Sequence, residues 1–312
     1  MPFEIPKTAY SGKIREIKLG SGSKARTVGG ETAYPFYLFE GRMPNTPKIA
    51  MEVYDTPPEE WAAAALEPFA GVTNDPVAWA QKCIKDYGAE MICLQLISTD
   101  PNGKNVPAEQ AATTAKLVSD AIDVPLIVWG TANHDKDTEV LRAVAELVQD
   151  KSLILGPVEE ADHKKIGAAA IAYKHTVVAS SPIDINLAKQ LNILLGNLGV
   201  PEDKMAMDPT VSSIGYGLEY CYSVMERVRM AALTQQDGKL QFPIIANLAK
   251  ETWKTKEAKI ADPKLGDTKK RGILLEAMSA MLVLMAGADV LIMRHPDAIK
   301  LVREMLTDLT TA

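Results

Sequence analysis

The chain has 312 residues, of which 47% are hydrophobic and 24% charged, with a formal net charge of −6 and an isoelectric point near 5.4. A net negative charge does not favour binding to nucleic acid or to an anionic membrane, because proteins that bind these partners carry an excess of basic residues. Three widely spaced cysteines exclude an iron–sulfur cluster or a structural zinc built from this chain alone, and they favour a reduced cytosolic protein. Met1–Lys13 has no signal-peptide core, and no apolar stretch is long enough to cross a bilayer, so we predict a soluble, cytoplasmic protein.

The first 47 residues differ in pattern from the rest of the chain. Lys13–Lys18 and Ala25–Val28 flank the flexible run Gly20–Ser23, which is typical of a β-hairpin. We therefore predict a hairpin extension over residues 1–47, followed by a second unit over residues 48–312.

Residues 48–312 alternate between helical stretches and short apolar runs that end in polar residues. Parallel strands need a long crossover between them, so this alternation predicts parallel pairing. Eight such units in roughly 250 residues match the size and strand count of a closed barrel. The predicted fold class is α/β, a single (β/α)8 TIM barrel whose bottom is closed by the N-terminal hairpin. The predicted strands are Lys48–Tyr54, Met91–Thr99, Leu126–Asn133, Leu153–Glu159, Thr176–Ser181, Met205–Thr210, Pro243–Asn247 and Val290–His295.

The helical stretches carry clear start and stop signals. Asp75 followed by Pro76 predicts an N-cap with proline in the first turn, and Gly88 predicts a left-handed C-cap. Residues 107–122 place their apolar side chains on one side, as a helix of the outer ring would. The connection over residues 55–74 is long, and a loop of this length at the C-terminal face of a barrel indicates function.

The C-terminal strand ends of a barrel form its mouth, where barrel enzymes build their sites. Asp208 would reach the mouth, where its carboxylate either accepts hydrogen bonds from a bound heterocycle or caps a turn. Asn247 would either donate to a ligand or bind the backbone. Together the strand ends predict a mostly neutral polar ring with few general acids and bases. The candidate cofactor-binding residues are Thr99, Asn133, Ser181, Asp208, Thr210, Asn247 and His295.

Two polar side chains would point into the barrel. Glu52 alternates inward with Ala50 and Tyr54. Gln95 alternates inward with Cys93, Ile97 and Thr99. Because a buried carboxylate needs a partner, Glu52 is either a site residue or half of an internal ion pair, and we favour the ion pair.

The lysine-rich stretch Lys250–Arg271 follows the seventh strand and would therefore lie at the mouth. It is either a solvated loop or a lid or docking surface for an acidic partner. The four histidines lack the spacing of metal ligands, so we expect no metal bound directly by protein side chains. No phosphate-binding loop of the P-loop, dinucleotide or barrel type occurs in the sequence, which disfavours an aldolase or a sugar-phosphate isomerase.

The sixth strand and its continuation carry a resemblance. Met205–Thr210 followed by Val211–Gly217, with a polar amide after the seventh strand, is similar to the pterin-binding barrels of dihydropteroate synthase and methyltetrahydrofolate methyltransferase. Thr210 stands where that family has glycine, at a place of close backbone approach. Over essentially its full length, the chain resembles the small subunit of the corrinoid iron–sulfur protein of the acetyl-CoA (Wood–Ljungdahl) pathway. This second resemblance includes Pro35–Tyr37, Val128–Thr131 and Ile292–Pro296.

The resemblance implies a methyl carrier without a complete catalytic constellation of its own. The small subunit would form a heterodimer with a larger subunit that holds the iron–sulfur cluster and anchors a shared corrinoid. The corrinoid cobalt would take a methyl group from methyltetrahydrofolate on a separate methyltransferase and deliver it to acetyl-CoA synthase, while the barrel covers the reactive face of the corrin. The alternative is that the barrel is itself a pterin-dependent methyltransferase that binds methyltetrahydrofolate through Asp208 and Asn247.

Overall fold

Eight parallel strands form the centre of the molecule, and two short antiparallel strands precede them. The computed structural model describes residues 4–149, 151–212, 214–215 and 217–310. The hairpin strands are β1 (Ile17–Leu19) and β2 (Arg26–Val28), and the barrel strands are β3 (Lys48–Tyr54), β4 (Met91–Gln95), β5 (Leu126–Trp129), β6 (Ile154–Val158), β7 (Thr176–Ser180), β8 (Met205–Asp208), β9 (Ile245–Asn247) and β10 (Val290–Met293).

The barrel strands pair in the spatial order β8-β7-β6-β5-β4-β3-β10-β9. Each neighbouring pair is parallel, and β3 aligns with β10 so that Met51 lies opposite Met293. A parallel bridge between Met207 and Ile244 joins the two ends of this order and closes the ring. The α/β barrel predicted from the sequence is confirmed.

Helices connect the barrel strands and cover their outer side. The Asp75 side chain accepts hydrogen bonds from the N–H groups of Val77 and Ala78, and Gly88 ends the same helix with a φ of 62°, as the capping signals predicted. The helices are α1 (Ala63–Leu66), α2 (Pro76–Tyr87), α3 (Ala108–Ala121), α4 (His134–Leu147), α5 (His163–Tyr173), α6 (Ile185–Leu198), α7 (Leu218–Thr234), α8 (Ala249–Lys254), α9 (Lys256–Lys259), α10 (Thr268–Met285) and α11 (Pro296–Thr310).

Strand side chains alternate between an outer and an inner apolar layer. On β3, Ile49, Met51 and Val53 pack with the helices, whereas Ala50 belongs to the barrel interior. Burial of each such aliphatic side chain stabilises the fold by about 1.5–3 kcal/mol. The interior cluster also contains three hairpin residues, Ile17, Leu19 and Val28. The hairpin therefore fills the bottom of the barrel, as predicted, while the division at residue 47 stays a prediction.

Strand β4 is shorter than the sequence predicted. It ends at Gln95, and Ile97–Thr99 form a 3₁₀ turn in which Thr99 Oγ1 donates to the carbonyl of Leu96 at 2.7 Å. The predicted inward alternation therefore stops at Gln95, because the turn breaks the two-residue period of the strand.

Strand β5 ends at Trp129, four residues before the predicted end at Asn133. Asp137 causes this early end, since its carboxylate accepts from the N–H of Thr131 at 2.9 Å and from the N–H of Ala132 at 2.8 Å. Gly130 permits the close approach, because a Cβ at this position would lie 2.4 Å from the carboxyl carbon of Asp137. The chain thus turns away from the sheet directly into α4.

The lysine-rich stretch Lys250–Arg271 is not an irregular loop. It contains most of α8, all of α9, a 3₁₀ turn at Pro263–Leu265 and the start of α10. Arg271 secures this arrangement, because its guanidinium donates to backbone carbonyls that include Glu257 at 2.6 Å. The segment is therefore ordered in short helices, while side chains such as Lys250, Lys254 and Lys256 are exposed to solvent, and its role as a lid or docking surface stays a prediction.

A buried charge cluster joins the N-terminal segment to the bottom of the barrel. Arg229 donates to the carboxylate of Asp289 at 2.5 Å and to the carbonyl of Phe242 at 3.0 Å. Glu31 lies beside Asp289, and burial together with that neighbouring charge raises the pKa of Glu31 to about 9. Glu31 is therefore protonated at neutral pH.

Candidate functional site at the barrel mouth

A cavity of about 370 Å³ opens at the C-terminal mouth of the barrel. Residues 56–61 of the long connection after β3 form one wall, and helices α8 and α9 contribute to the opposite wall. The long connection thus lies at the mouth, where its length predicted a functional role. Much of the lining consists of aromatic and basic side chains, including Trp61, Lys104, Lys250, Trp253, Lys259 and Arg294.

Arg294 lies on the inner wall of this cavity. Its Nε donates to Glu52 Oε2 at 2.7 Å, and its guanidinium carbon lies 3.6 Å from the centroid of the Trp61 ring. Its Nη2 donates to the Tyr54 hydroxyl at 3.3 Å. Glu52 is fully buried and Arg294 is 2% exposed, so the two charges form an ion pair inside the barrel. The ion pair predicted for Glu52 is confirmed, and Arg294 is its partner.

A chain of amide groups leads from this ion pair toward the mouth. Gln95 Nε2 donates to Glu52 Oε1 at 3.0 Å and lies 3.3 Å from Asn247 Oδ1, which also accepts from it. Gln95 Oε1 is buried and has no hydrogen-bond partner within the described ranges. Asn247, a predicted binding residue, is half-buried and therefore adjoins both the ion pair and the mouth.

Asp208 at the end of β8 both caps a turn and faces the buried end of the mouth. Its Oδ1 accepts from the N–H of Thr210 at 2.9 Å, and its Oδ2 accepts from Ser180 Oγ at 3.0 Å. Burial raises the pKa of Asp208 to about 7, with smaller contributions in the same direction from Glu159 and Glu251. The carboxyl can therefore donate or accept a hydrogen bond near neutral pH.

Thr210 adopts a left-handed backbone conformation with a φ of 55°. This region favours glycine, and a β-branched residue there costs on the order of 1 kcal/mol. The chain thus adopts at a threonine a backbone conformation that glycine would adopt without strain.

Two predicted binding residues have local roles. Thr99 is fully buried, and its hydroxyl is used within the turn after β4. Asn133 is the N-cap of α4, where its side chain accepts from the N–H of Lys136 at 3.1 Å. The structure therefore gives Thr99 no open position at the mouth and assigns Asn133 mainly to the helix start.

Ser181 and Asp208 are brought together across neighbouring strands. The Ser181 N–H donates to the carbonyl of Asp208 at 3.0 Å. The Ser181 hydroxyl is buried and has no hydrogen-bond partner among the described residues. Because buried hydroxyls are nearly always paired, this oxygen is a candidate contact for a ligand.

Glu276 fastens α8 over the mouth. Its buried carboxylate accepts from Trp253 Nε1 at 2.8 Å and from the N–H groups of Arg294 at 2.6 Å and His295 at 3.1 Å. Burial raises the pKa of Glu276 to about 6. His295, another predicted binding residue, is 1% exposed and stacks on Trp253 with ring centroids 5.8 Å apart. His295 therefore packs against α8 through Trp253. Strand β10 ends at Met293 because the next two backbone N–H groups donate to Glu276.

The expectation of a neutral ring with few acids and bases is wrong. His134 Nδ1 lies 3.5 Å from Asp162 Oδ2, and His134 Nε2 lies 3.9 Å from Glu159 Oε2. Burial raises the pKa of both carboxyls. The connection after β6 therefore places two carboxyl groups next to the His134 imidazole, whereas lysines line the mouth cavity.

Sequence reasoning did not select Arg294 and Trp61 as site residues. The available signal for Arg294 was its position directly after the apolar run of the eighth strand, together with an inward glutamate on the first. Trp61 gave no such signal, because it lies in an irregular connection whose path depends on the barrel.

Neither a metal centre nor a membrane segment is found in the described part of the chain. Within the described ranges, no group of three or more histidine, cysteine, aspartate or glutamate side chains could hold a metal ion. In the same ranges, no helix combines the length and apolar character needed to cross a bilayer.

The fold is that of the dihydropteroate synthase barrels. A dihydropteroate synthase from Coxiella burnetii in complex with pteroic acid matches with a TM-score of 0.57 and 12% identity, covering 95% of this chain and 98% of that chain. The enzyme from Xanthomonas albilineans matches with a TM-score of 0.54 and 16% identity, covering 89% of this chain and 98% of that chain. At these identities the likeness shows the fold alone.

The family follows from the sequence comparisons. Residues 16–310 match the family CdhD, the CO dehydrogenase/acetyl-CoA synthase delta subunit. Subunit delta of the acetyl-CoA decarbonylase/synthase complex from Archaeoglobus fulgidus is 36% identical over 321 residues, which cover 98% of this chain and 71% of that protein. The Methanopyrus kandleri subunit delta is 36% identical over 303 residues, with 95% and 75% covered. The chain belongs to this delta-subunit family, and the resemblance recognised in its sequence is confirmed.

Proposed function

We propose that the chain is the small subunit of a corrinoid iron–sulfur methyl carrier and that its barrel mouth covers the reactive face of the corrinoid. The observation that carries this proposal is the family match over residues 16–310. In this role, the carrier passes a methyl group from methyltetrahydrofolate, on a separate methyltransferase, to acetyl-CoA synthase.

The residues at the mouth suit a corrinoid. A corrin ring has broad apolar faces and is edged with amide side chains. Trp61 and Trp253 offer aromatic surface in the mouth cavity. Ser181 Oγ and Gln95 Oε1 are buried polar atoms that have no partner in the part of the chain that the structure describes. The amides of a bound ring would supply hydrogen bonds to them.

A bound corrinoid would supply the methyl-transfer chemistry through its cobalt. This chain would bind and orient the ring and exclude water from its covered face. Asp208, whose pKa is about 7, could donate to or accept from a ring amide. The ion pair of Arg294 and Glu52 would hold Trp61 in place at the mouth, because Arg294 stacks on the Trp61 ring.

The proposed partner is a larger subunit that anchors the corrinoid and holds the iron–sulfur cluster. All three cysteines of this chain are buried, and within the described residues no group of three or more histidine, cysteine, aspartate or glutamate side chains could hold a metal ion, which supports a cluster in the partner only. Contacts with the methyltransferase and with acetyl-CoA synthase would be transient. The net charge of −6 favours neither a nucleic-acid nor a membrane partner, and we propose a cytoplasmic location.

Co-expression with the large subunit tests the proposal. We expect a one-to-one complex with a corrinoid absorption spectrum, in which a soluble alkyl halide alkylates the reduced corrinoid more slowly than in the large subunit alone. Trp61→Ala should speed this alkylation several-fold, whereas Lys18→Gln at the other end of the barrel should not. Circular dichroism would show that both variants are folded. An alkylation rate that is insensitive to the presence of this chain would contradict the proposed cover.

A second candidate function is a pterin-dependent methyltransferase. It is favoured by the left-handed conformation of Thr210 next to Asp208, in a barrel shared with dihydropteroate synthases. Titration of the isolated chain with methyltetrahydrofolate distinguishes the two functions. Tight, stoichiometric binding that Asp208→Asn abolishes would favour the methyltransferase, and absence of binding would favour the cover.

A further inference from the structure

A basic cleft of about 550 Å³ lies at the bottom of the barrel, opposite the mouth. It is formed by the hairpin turn, the segments that enter β6 and β7, and the turn before β8. Four of its lining residues are lysines, and one is an acid: Lys18, Lys151, Lys174, Lys204 and Asp203. This local excess of positive charge stands out in a chain whose net charge is −6.

Two of the lysines donate to neutral acceptors among the described residues. Lys151 Nζ donates to the carbonyl of Ile122 at 3.2 Å, and Lys204 Nζ donates to Ser152 Oγ at 3.0 Å. These contacts fix both ammonium groups in the wall without neutralising them. The cleft therefore contains positive charge that is held in place before any ligand arrives, which lowers the cost of ordering on binding.

The other two lysines are exposed. Lys18 points outward from β1, and Lys174 follows α5 in a left-handed conformation with a φ of 61°. In the part of the chain that the structure describes, neither forms an ion pair within 4.0 Å of a carboxylate. Asp203 is thus the single acid set against four ammonium groups in the described lining. An anion in this cleft would be attracted from several sides at once.

The hairpin turn leaves its backbone open on the side of the cleft. Gly22 has a φ of 69°, and a Cβ added there would meet no atom within 4 Å. Tyr173 and Ile171 add apolar surface to the same lining. The cleft therefore combines fixed positive charge, accessible backbone and an aromatic ring, and its volume lies in the range of small-molecule sites.

We propose that this cleft binds a phosphate-bearing small molecule of nucleotide size. Lysine ammonium groups are suitable point charges for phosphate oxygens, and the Tyr173 ring offers a face for a base. This site is independent of the mouth, so it neither requires nor supports the proposed cover of a corrinoid.

Isothermal titration calorimetry of the full chain at low ionic strength tests the proposal, with pyrophosphate and ADP as probes. The test variant is Lys18→Gln/Lys174→Gln, in which both replaced side chains are exposed. The matched control is Lys164→Gln/Lys165→Gln, which removes the same charge from exposed positions of α5 outside the cleft. We expect about tenfold weaker binding in the test variant than in the control, and weaker binding by all proteins as salt rises.

The two probes separate the sources of the phosphate. Tighter binding of ADP than of pyrophosphate, with the difference lost in Tyr173→Leu, identifies a nucleotide, and equal binding identifies a free polyphosphate. Both outcomes support the site. Failure of the unmodified chain to bind either probe at millimolar concentration, or equal weakening in the test and control variants, would overturn it.

Discussion

Replacing Arg294 by methionine should destabilise the barrel strongly. The change keeps an apolar stem against Trp61 but removes the donor that lies 2.7 Å from Glu52 Oε2. Glu52 would then be a fully buried carboxylate whose remaining donor is the Gln95 amide. Removing one partner of a buried ion pair costs about 3–5 kcal/mol, and loss of the stacking on Trp61 adds on the order of 1 kcal/mol. We therefore expect the free energy of unfolding to fall by about 5 kcal/mol.

Urea unfolding followed by circular dichroism measures this loss and completes a double-mutant cycle with Glu52→Gln. The double variant has no unpaired charge, so its loss should be smaller than the sum of the two single losses by at least ~2 kcal/mol. Lys82→Met, which breaks a surface pair with Asp86, is the control and should change the free energy by no more than about 0.5 kcal/mol. Additive single losses would show that the pair is not coupled and would refute the reasoning.

Three further predictions concern other parts of the structure. Gly130→Ala should lower stability by about 1–3 kcal/mol in thermal unfolding, because its Cβ would lie 2.4 Å from the Asp137 carboxyl carbon, whereas the more open Gly103→Ala should be neutral. Thr210→Gly should raise stability by about 1 kcal/mol, since glycine adopts a φ of 55° without strain, and a drop in melting temperature would contradict this. Glu31 has a folded-state pKa of about 9 against an ordinary value of 4.5, so it takes up a proton on folding between these pH values and stability falls as pH rises through that window. Glu31→Gln should therefore be more stable than the unmodified chain by at least ~1 kcal/mol at about pH 8 and no more stable at about pH 4, as thermal melts at the two pH values would show.

The sequence predicted all eight barrel strands because each is a buried run of apolar residues bounded by turn signals. It placed the mouth ends of β3 and β9 correctly, but it placed those of β4, β5 and β10 too late in the chain. Those ends depend on side chains far along the chain, such as Glu276, which takes the N–H groups that follow β10. The apolar pattern of a strand does not show that a carboxylate elsewhere in the chain will accept hydrogen bonds from its last N–H groups.

Local sequence patterns likewise predict some residues of the candidate site but not the partners that lie far away in the chain. The period of two placed Glu52 inside the barrel, but its partner Arg294 lies 242 residues away, and no local pattern connects them. Asp208 was found because it directly follows an apolar run. The lysine-rich stretch was correctly placed at the mouth, where Lys250 and Lys259 line the cavity. The carboxyl groups beside His134 were missed, because these residues lie on separate loops that only the closed ring brings together.

The inner cluster of the barrel is completed by Ile17, Leu19 and Val28, which precede every strand of the ring. A fragment that starts at residue 48 would therefore lack the apolar side chains that fill the bottom of the barrel, and Val290 and Ile245 would be exposed to water. Such a fragment should fold poorly alone and be rescued by a separate peptide that carries the missing segment. The N-terminal hairpin thus completes the core of a barrel whose strands all come later in the chain.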